Sequence, residues 1–220
     1  MSRQPPHLRL KAFDDALRGK YGPILVGCDD SGRGSWAGPL AVGAVILPVD
    51  CELPGLNDSK KMSREARDEL AAKIKELALA WNVCFIAADE IDAKSITWAN
   101  TVAMKRACEA CTAAVEKPAD YYIVDNTTRF PLRPALVIPK GDGTSLSVAA
   151  ASVLAKTERD ALMVELSKKY PQYGWDESKG YVNEAHVAAV KLHGLVDGIH
   201  RKSYKIVGIN RPQQITLTDL

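Results

Sequence analysis

Two acids in a row close an apolar strand early in the chain, and no other stretch constrains the fold as much. Pro23-Ile24-Leu25-Val26 reads as a buried strand that stops at Asp29-Asp30, and the turn Ser31-Gly32-Arg33-Gly34 follows it. Asp and Gly are ordinary turn residues, so a solvated turn would account for the stretch on local chemistry alone. A buried strand ending in two uncompensated carboxylates is costly, however. Its natural partner is a cation, either a metal ion or a basic side chain. Consecutive residues of a regular strand face opposite sides, so Asp29 and Asp30 share a site only where the strand bends or ends. A metal reading therefore requires further carboxylates elsewhere.

Two more strand ends supply them. Tyr121-Tyr122-Ile123-Val124 finishes at Asp125, and Ala135-Leu136-Val137-Ile138 closes at Lys140-Gly141-Asp142-Gly143. Between these and the opening strand the pattern predicts a strand over 40–47 that pairs with the first as an antiparallel hairpin, and a weakly alternating strand over 81–88. Helices are expected over 6–20, over 64–80 behind the N-cap Ser63, in a pair between Asp89 and Lys117, and over 145–168. The last of these carries Ala149, Ala150, Ala151, Ser152 and Ala155, small enough to approach a sheet closely. Its Asp160 is assigned to a neighbouring Lys or Arg rather than to a metal. Strands alternating with helices make an α/β protein.

In an open α/β sheet functional groups gather at the carboxyl ends of the strands, so Asp29, Asp30, Asp125 and Asp142 converge on one edge. Oxygen ligands without histidine favour Mg2+ or Mn2+ over zinc. Two such ions about 4 Å apart can hold the attacking water and the leaving oxygen of an in-line phosphoryl displacement. The expected chemistry is metal-dependent hydrolysis of a phosphodiester.

With 220 residues, 25% of them charged and 46% hydrophobic, the chain fits one soluble domain or one domain with a small appendage. Residues 1–9 lack the apolar core of a signal peptide, and no apolar run approaches the roughly 18 residues that cross a bilayer, so a cytoplasmic protein without membrane contact is expected. Five cysteines without metal-ligand spacing are expected to be reduced and packed as small apolar residues. A net charge of +2 rules out a global basic field. The stretch 191–211 is nonetheless basic, with Asp197 its one acid, and suits either a solvated surface or a phosphate-contacting edge.

Gly27-Cys28-Asp29-Asp30-Ser31-Gly32-Arg33-Gly34, with Ala37-Gly38-Pro39 behind it, resembles the opening motif of the type 2 ribonucleases H. The likeness continues in register through Asp58-Ser59-Lys60-Lys61, Val124-Asp125, Lys140-Gly141-Asp142, the run 149–156, Arg159-Asp160, Lys179-Gly180-Tyr181 and His200-Arg201. It implies an RNase H-like fold, a central mixed sheet flanked by helices with a helical C-terminal extension, divided as a core over 1–165 and an extension over 166–220. It also implies endonucleolytic cutting of RNA in RNA–DNA hybrids, and incision on the 5′ side of ribonucleotides embedded in DNA, leaving a 3′ hydroxyl. On that resemblance Asp29, Asp30, Asp125 and Asp142 bind the metals, with Asp29 bridging them. Gly32, Arg33 and Gly34 read the 2′-hydroxyl, Tyr181 lies against the following sugar, and Lys60 sits near the phosphate backbone.

The chain departs from the family at Asp30, where glutamate is ordinary, at Ser35-Trp36 and at Val182-Asn183. The Asp30 departure leaves open an alternative, a catalytically weakened or inactive member that binds hybrids. A different nuclease on the same fold is a further alternative, which Gly32-Arg33-Gly34 and Tyr181 argue against. A monomer is expected. The tail 213–217 faintly resembles a clamp-binding peptide but lacks its terminal aromatic pair, so clamp binding through it is not expected.

Overall fold

The computed structural model describes residues 5–57, 62–125, 127 and 130–206. The sheet is assembled around β1 (Leu25–Ser31), which pairs antiparallel with β2 (Leu40–Ile46) from Val26↔Ile46 to Ser31↔Ala41. β3 (Ala80–Ile86) runs antiparallel outside β2. On its other side β1 pairs parallel with β4 (Tyr121–Asp125), and β5 (Ala135–Ile138) runs parallel outside β4. The order is β3-β2-β1-β4-β5, a mixed sheet that opens with the expected hairpin.

β1 ends one residue beyond its two acids, because β2 holds it as far as Ser31↔Ala41. The ladder to β4 ends earlier, at Cys28↔Val124. Asp29 and Asp30 therefore lie on a length of strand that is paired on one side and open on the other.

The helices are α1 (Pro6–Tyr21), α2 (Arg64–Leu77), α3 (Ala88–Lys94), α4 (Ile96–Ala113), α5 (Leu146–Lys169), α6 (Trp175–Ser178) and α7 (Glu184–His193). α2 starts where expected, with Ser63 Oγ accepting from the Ala66 N–H at 3.2 Å, and ends three residues early because Ala80 already belongs to β3. α4 covers one sheet face, packing Ala103, Met104, Ala107 and Cys108 against Val26, Cys28 and Val42. α5 and α2 cover the other, with Ala149–Ala151 and Ile74 against Val45 and Leu47. α5 comes so close that a Cβ on Gly27 would stand 2.2 Å from the Ser147 carbonyl carbon. Only glycine fits there.

All five cysteines are free, four of them buried, as read from their context. Lys156 Nζ meets Asp160 at 2.8 Å, which accounts for that acid. No described helix is long and apolar enough to cross a membrane.

A third cluster joins Trp36 and Ala37, which follow β1, to Met163 of α5 and to Tyr173, Trp175, Ala189 and Val190. His186 and His200 are fully enclosed in it, at 0% and 1% exposure. Their rings lie 5.0 Å from Trp36 and 5.1 Å from Tyr173 respectively. Burial pushes both imidazoles below the ordinary histidine value, His200 to about 4, helped by the neighbouring His186.

Above about pH 6.5 both rings are neutral whether the chain is folded or not, so the pair carries no proton-linked cost. As pH falls from there toward about 4, the unfolded chain takes up protons that the folded one refuses, and stability is lost. His200 alone accounts for about 3 kcal/mol of that loss. Urea unfolding at a series of pH values should show this fall in wild type and a shallower one in His200→Gln. Equal slopes would contradict it.

Candidate active site

The side chains of β1 alternate across the sheet. Asp29 points to the α5 face, where the Ser152 hydroxyl bonds to it, and its Oδ1 accepts from the Asp30 N–H at 2.7 Å. Asp30 points to the α4 face, where Asn100 Nδ2 donates to its Oδ1 at 3.0 Å. Asp125 stands at the end of β4, one residue beyond the last β1–β4 pair, and so level with Asp29. Its Oδ1 accepts from the Gly141 N–H at 2.5 Å. That bond pins the 3₁₀ turn Gly141–Gly143, whose middle residue is Asp142, 5% exposed. The turn is entered through Lys140 in the left-handed conformation, φ 58°.

The four predicted acids thus lie along the carboxyl edge of β1 and β4: Asp29 stands between the charges of Asp125 and Asp30, although its side chain and that of Asp30 leave on opposite faces of the sheet, and Asp142 sits on the turn that Asp125 pins. Asp29 bears the strain. Burial raises its carboxyl well above the usual carboxylate range, and the negative charges of Asp125 and then Asp30 push the same way. Among the described residues no three Asp, Glu, His or Cys side chains close on one point tightly enough to hold an ion by themselves. Crowded carboxylate oxygens that repel one another are nonetheless a donor set that suits a hard cation.

The turn after the acids is held by two buried cations. Arg159 of α5 and Arg201 are both 0% exposed, and among the described residues neither meets a carboxylate within ion-pair distance. They bond to carbonyls instead. Arg159 donates to Pro39 O at 2.9 Å, Ala37 O at 3.1 Å, Lys179 O at 3.0 Å and Ser35 Oγ at 2.6 Å. Arg201 donates to Gly38 O through two nitrogens, at 3.1 and 2.9 Å, and to Arg33 O at 3.0 Å. Burial lowers the Arg159 guanidinium to about 10, which leaves it charged at neutral pH. The two glycines here play different parts. A Cβ on Gly32, φ 85°, would fall 1.9 Å from Arg159 Nε, whereas Gly34 is exposed with open space where a side chain would stand.

Tyr181 is half-exposed at 40%, with Arg159 5.6 Å and Lys156 5.8 Å from its ring centroid. Its neighbour Gly180 accepts from the Trp36 and Ala37 N–H groups at 2.9 and 3.0 Å, which joins this loop to the turn after β1. The departures at 35–36 and 182–183 have structural work of their own. Ser35 Oγ donates to Gly32 O at 2.9 Å, Trp36 fills the third cluster, and Asn183 caps α7. Lys60 and the tail 213–217 lie outside the described residues.

The sequence reading missed Asn100, Ser152 and the roles of Arg159 and Arg201. A charged residue at position 159 of an otherwise small and apolar helix face was the available signal for one of them.

The family model described as Ribonuclease HII matches residues 26–207. The Ribonuclease HII of Dechloromonas aromatica is 44% identical over 182 residues, covering 82% of this chain and 90% of that one. Among solved structures, the PCNA:RNase HII complex from Archaeoglobus fulgidus superposes with a TM-score of 0.67 at 26% identity, covering 90% of this chain and all of that one. Bst-RNase HIII in complex with Mn2+ shares the fold, with a TM-score of 0.64 at 18% identity over 91% of this chain and 71% of that one.

Replacing Asp29 with its neutral isostere removes the buried repulsion and keeps the shape. In the presence of a chelator, Asp29→Asn should raise the melting temperature by a few degrees, about 2–4 °C per kcal/mol gained in a chain of this size. Thermal unfolding checks it, and an unchanged or lower midpoint would count against the crowding of Asp29.

Proposed function

The chain belongs to the ribonuclease HII family, and is accordingly a hydrolytic endoribonuclease acting on RNA–DNA hybrids; from this we propose how its residues divide the work. The observation that carries the assignment of roles is the juxtaposition, on one sheet edge, of the crowded acids at Asp29 and Asp125 with the arginine-held turn at Gly32-Arg33-Gly34. The alternative of a member that binds without cleaving draws no support from relatives of this identity and coverage.

Asp29, Asp30, Asp125 and Asp142 hold divalent ions, Mg2+ or Mn2+, two of them when substrate is bound. Such ions supply an activated water and stabilise the leaving oxygen of the phosphodiester. Acids crowded closely enough to repel one another support this role, as does the Mn2+ complex of the neighbour on the same fold. Gly141 N–H orients Asp125, Ser152 orients Asp29, and Asn100 orients Asp30.

The turn reads the ribose. With the carbonyls of Arg33, Ala37, Gly38 and Pro39 taken up by Arg159 and Arg201, exposed Gly34 lets a substrate backbone approach closely. A 2′-hydroxyl is the group that distinguishes RNA from DNA there. The two buried guanidiniums below the turn add positive potential for a phosphate. Tyr181 packs against the sugar on the 3′ side of the ribonucleotide, and cleavage falls on its 5′ side, leaving a 3′ hydroxyl. Lys60 contacts the phosphate backbone, and residues 166–206 form the extension that carries Tyr181. The clamp complex belongs to the archaeal protein; here we assign no clamp partner.

A DNA duplex carrying one ribonucleotide, incubated with Mg2+ or Mn2+, tests the whole assignment. Wild type should incise beside the ribonucleotide, while indiscriminate cutting, or binding without cutting, would refute it. Asp29→Asn and Asp142→Asn should abolish cleavage and leave binding largely intact. Asp30 is one methylene, about 1.5 Å, shorter than glutamate, against metal–oxygen distances held to about 0.2 Å. Asp30→Glu should retain or raise the Mg2+-dependent rate, and a clear loss would overturn the account of position 30.

A further inference from the structure

The loop that carries Tyr181 is tied at three carbonyls in succession. Lys179 O accepts from Arg159, Gly180 O accepts from Trp36 and Ala37, and Tyr181 O lies 3.0 Å from His186 Nδ1. The first two ties come from the turn and its arginine. The third comes from the buried pair His186 and His200, which has no part in the chemistry above.

The bonding pattern fixes the hydrogens of this pair. Trp175 Nε1–H can only donate, and it does so to His186 Nε2 at 3.1 Å. The Val196 N–H likewise donates to His200 Nδ1 at 2.8 Å. Neutral His200 therefore carries its hydrogen on Nε2, 3.1 Å from His186 Nε2, which accepts it. His186, bare at Nε2, is protonated at Nδ1 and donates to the Tyr181 carbonyl. One tautomer of each ring fits these contacts, with the single lone pair of His186 Nε2 shared between the Trp175 and His200 N–H groups, and an added proton would set N–H against N–H.

The surroundings favour this neutral state. The faces packed on the pair are the rings of Trp36, Tyr173 and Trp175, and the Tyr173 hydroxyl is turned away to Gly194 O at 2.8 Å. No carboxylate among the described residues forms an ion pair with either ring. His186 also lies in the first turn of α7, its N–H capped by Asn183 Oδ1 at 2.7 Å, where the helix dipole opposes a cation.

We propose that His186 and His200 are positioning residues for Tyr181, a neutral imidazole relay that fixes the tyrosine backbone and so the ring it presents at the RNA-to-DNA junction. This rests on the sugar-facing role given to Tyr181 above. The ring's direction is set by the Lys156 and Arg159 cations, and its anchorage by the relay. A displacement of about 1 Å at such a contact is enough to cost activity.

The test places a fluorotyrosine at position 181 and compares kcat/KM on a single-ribonucleotide duplex with kcat/KM on a continuous hybrid. His186→Phe keeps an aromatic body but donates nothing. It should shift or broaden the fluorine resonance and lower the junction preference about tenfold, as Tyr181→Ala does, with the double variant no worse than either. His186→Asn keeps an N–H near the place of Nδ1, so resonance and preference should stay near wild type even though Trp175 emission changes. His200→Leu leaves His186 in place with its tautomer still set by the Trp175 N–H, removes one packed ring and one N–H from it, and should move the resonance by a smaller amount.

An unmoved resonance in His186→Phe, folded by circular dichroism, overturns the relay whatever the substrates do. If that variant does not fold, the nitrogen-15 shifts of the histidines in the wild-type protein decide: a bare Nδ1 on His186 overturns the relay, and a protonated Nδ1 beside a bare Nε2 upholds it. A moved resonance with the junction preference intact in both His186→Phe and Tyr181→Ala upholds the relay as an anchor, and removes Tyr181 from the sugar instead.

Discussion

Two guanidinium groups, buried with no carboxylate of the described residues at ion-pair distance, hold together the parts of this molecule that chain order separates. A charge that loses its water needs a full set of hydrogen bonds, and here backbone carbonyls provide them. Arg159 reaches the turn after β1 and the Tyr181 loop together, and Arg201 reaches the same turn from the far side. Each is costly alone and satisfied only when the turn takes one shape. That requirement, rather than any preference of the turn's own residues, explains why Gly32 sits so tightly while Gly34 stays open.

The acids follow a complementary logic. β1 needs β2 along its whole length, yet its pairing to β4 ends before Asp29, so the strand carries its charges out along an unpaired edge. Alternation then sends Asp29 toward Ser152 and Asp30 toward Asn100. Like charges are thus crowded at one edge and held in place by their neighbours.

Much of this was legible in the sequence. The order of elements followed from apolar runs and their punctuation, and three strand ends pointed to Asp29, Asp125 and Asp142 because functional groups collect there. The reading failed where the answer depended on a neighbouring strand. Nothing local to 29–31 reveals that β2 carries β1 through both acids to Ser31, so that their side chains leave on opposite faces. Long-range polar partners were equally hidden. Asn100 looks like a helix residue, and His200 looks like a member of a basic surface, until packing encloses them. Family likeness marked Arg159 and His200-Arg201 as motif positions without disclosing what they hold.

The bonds from Arg201 to the turn cross 163 to 168 positions of sequence. During synthesis the hairpin of β1 and β2 emerges long before Arg201, and domains generally fold as units. The segment to which we assign the ribose must wait, since its carbonyls find their last donors only after Arg201 has left the ribosome. A nascent chain therefore owns Asp29 and Asp30 long before it owns a shaped turn, and on that assignment the capacity to tell ribose from deoxyribose is among the last properties the molecule acquires.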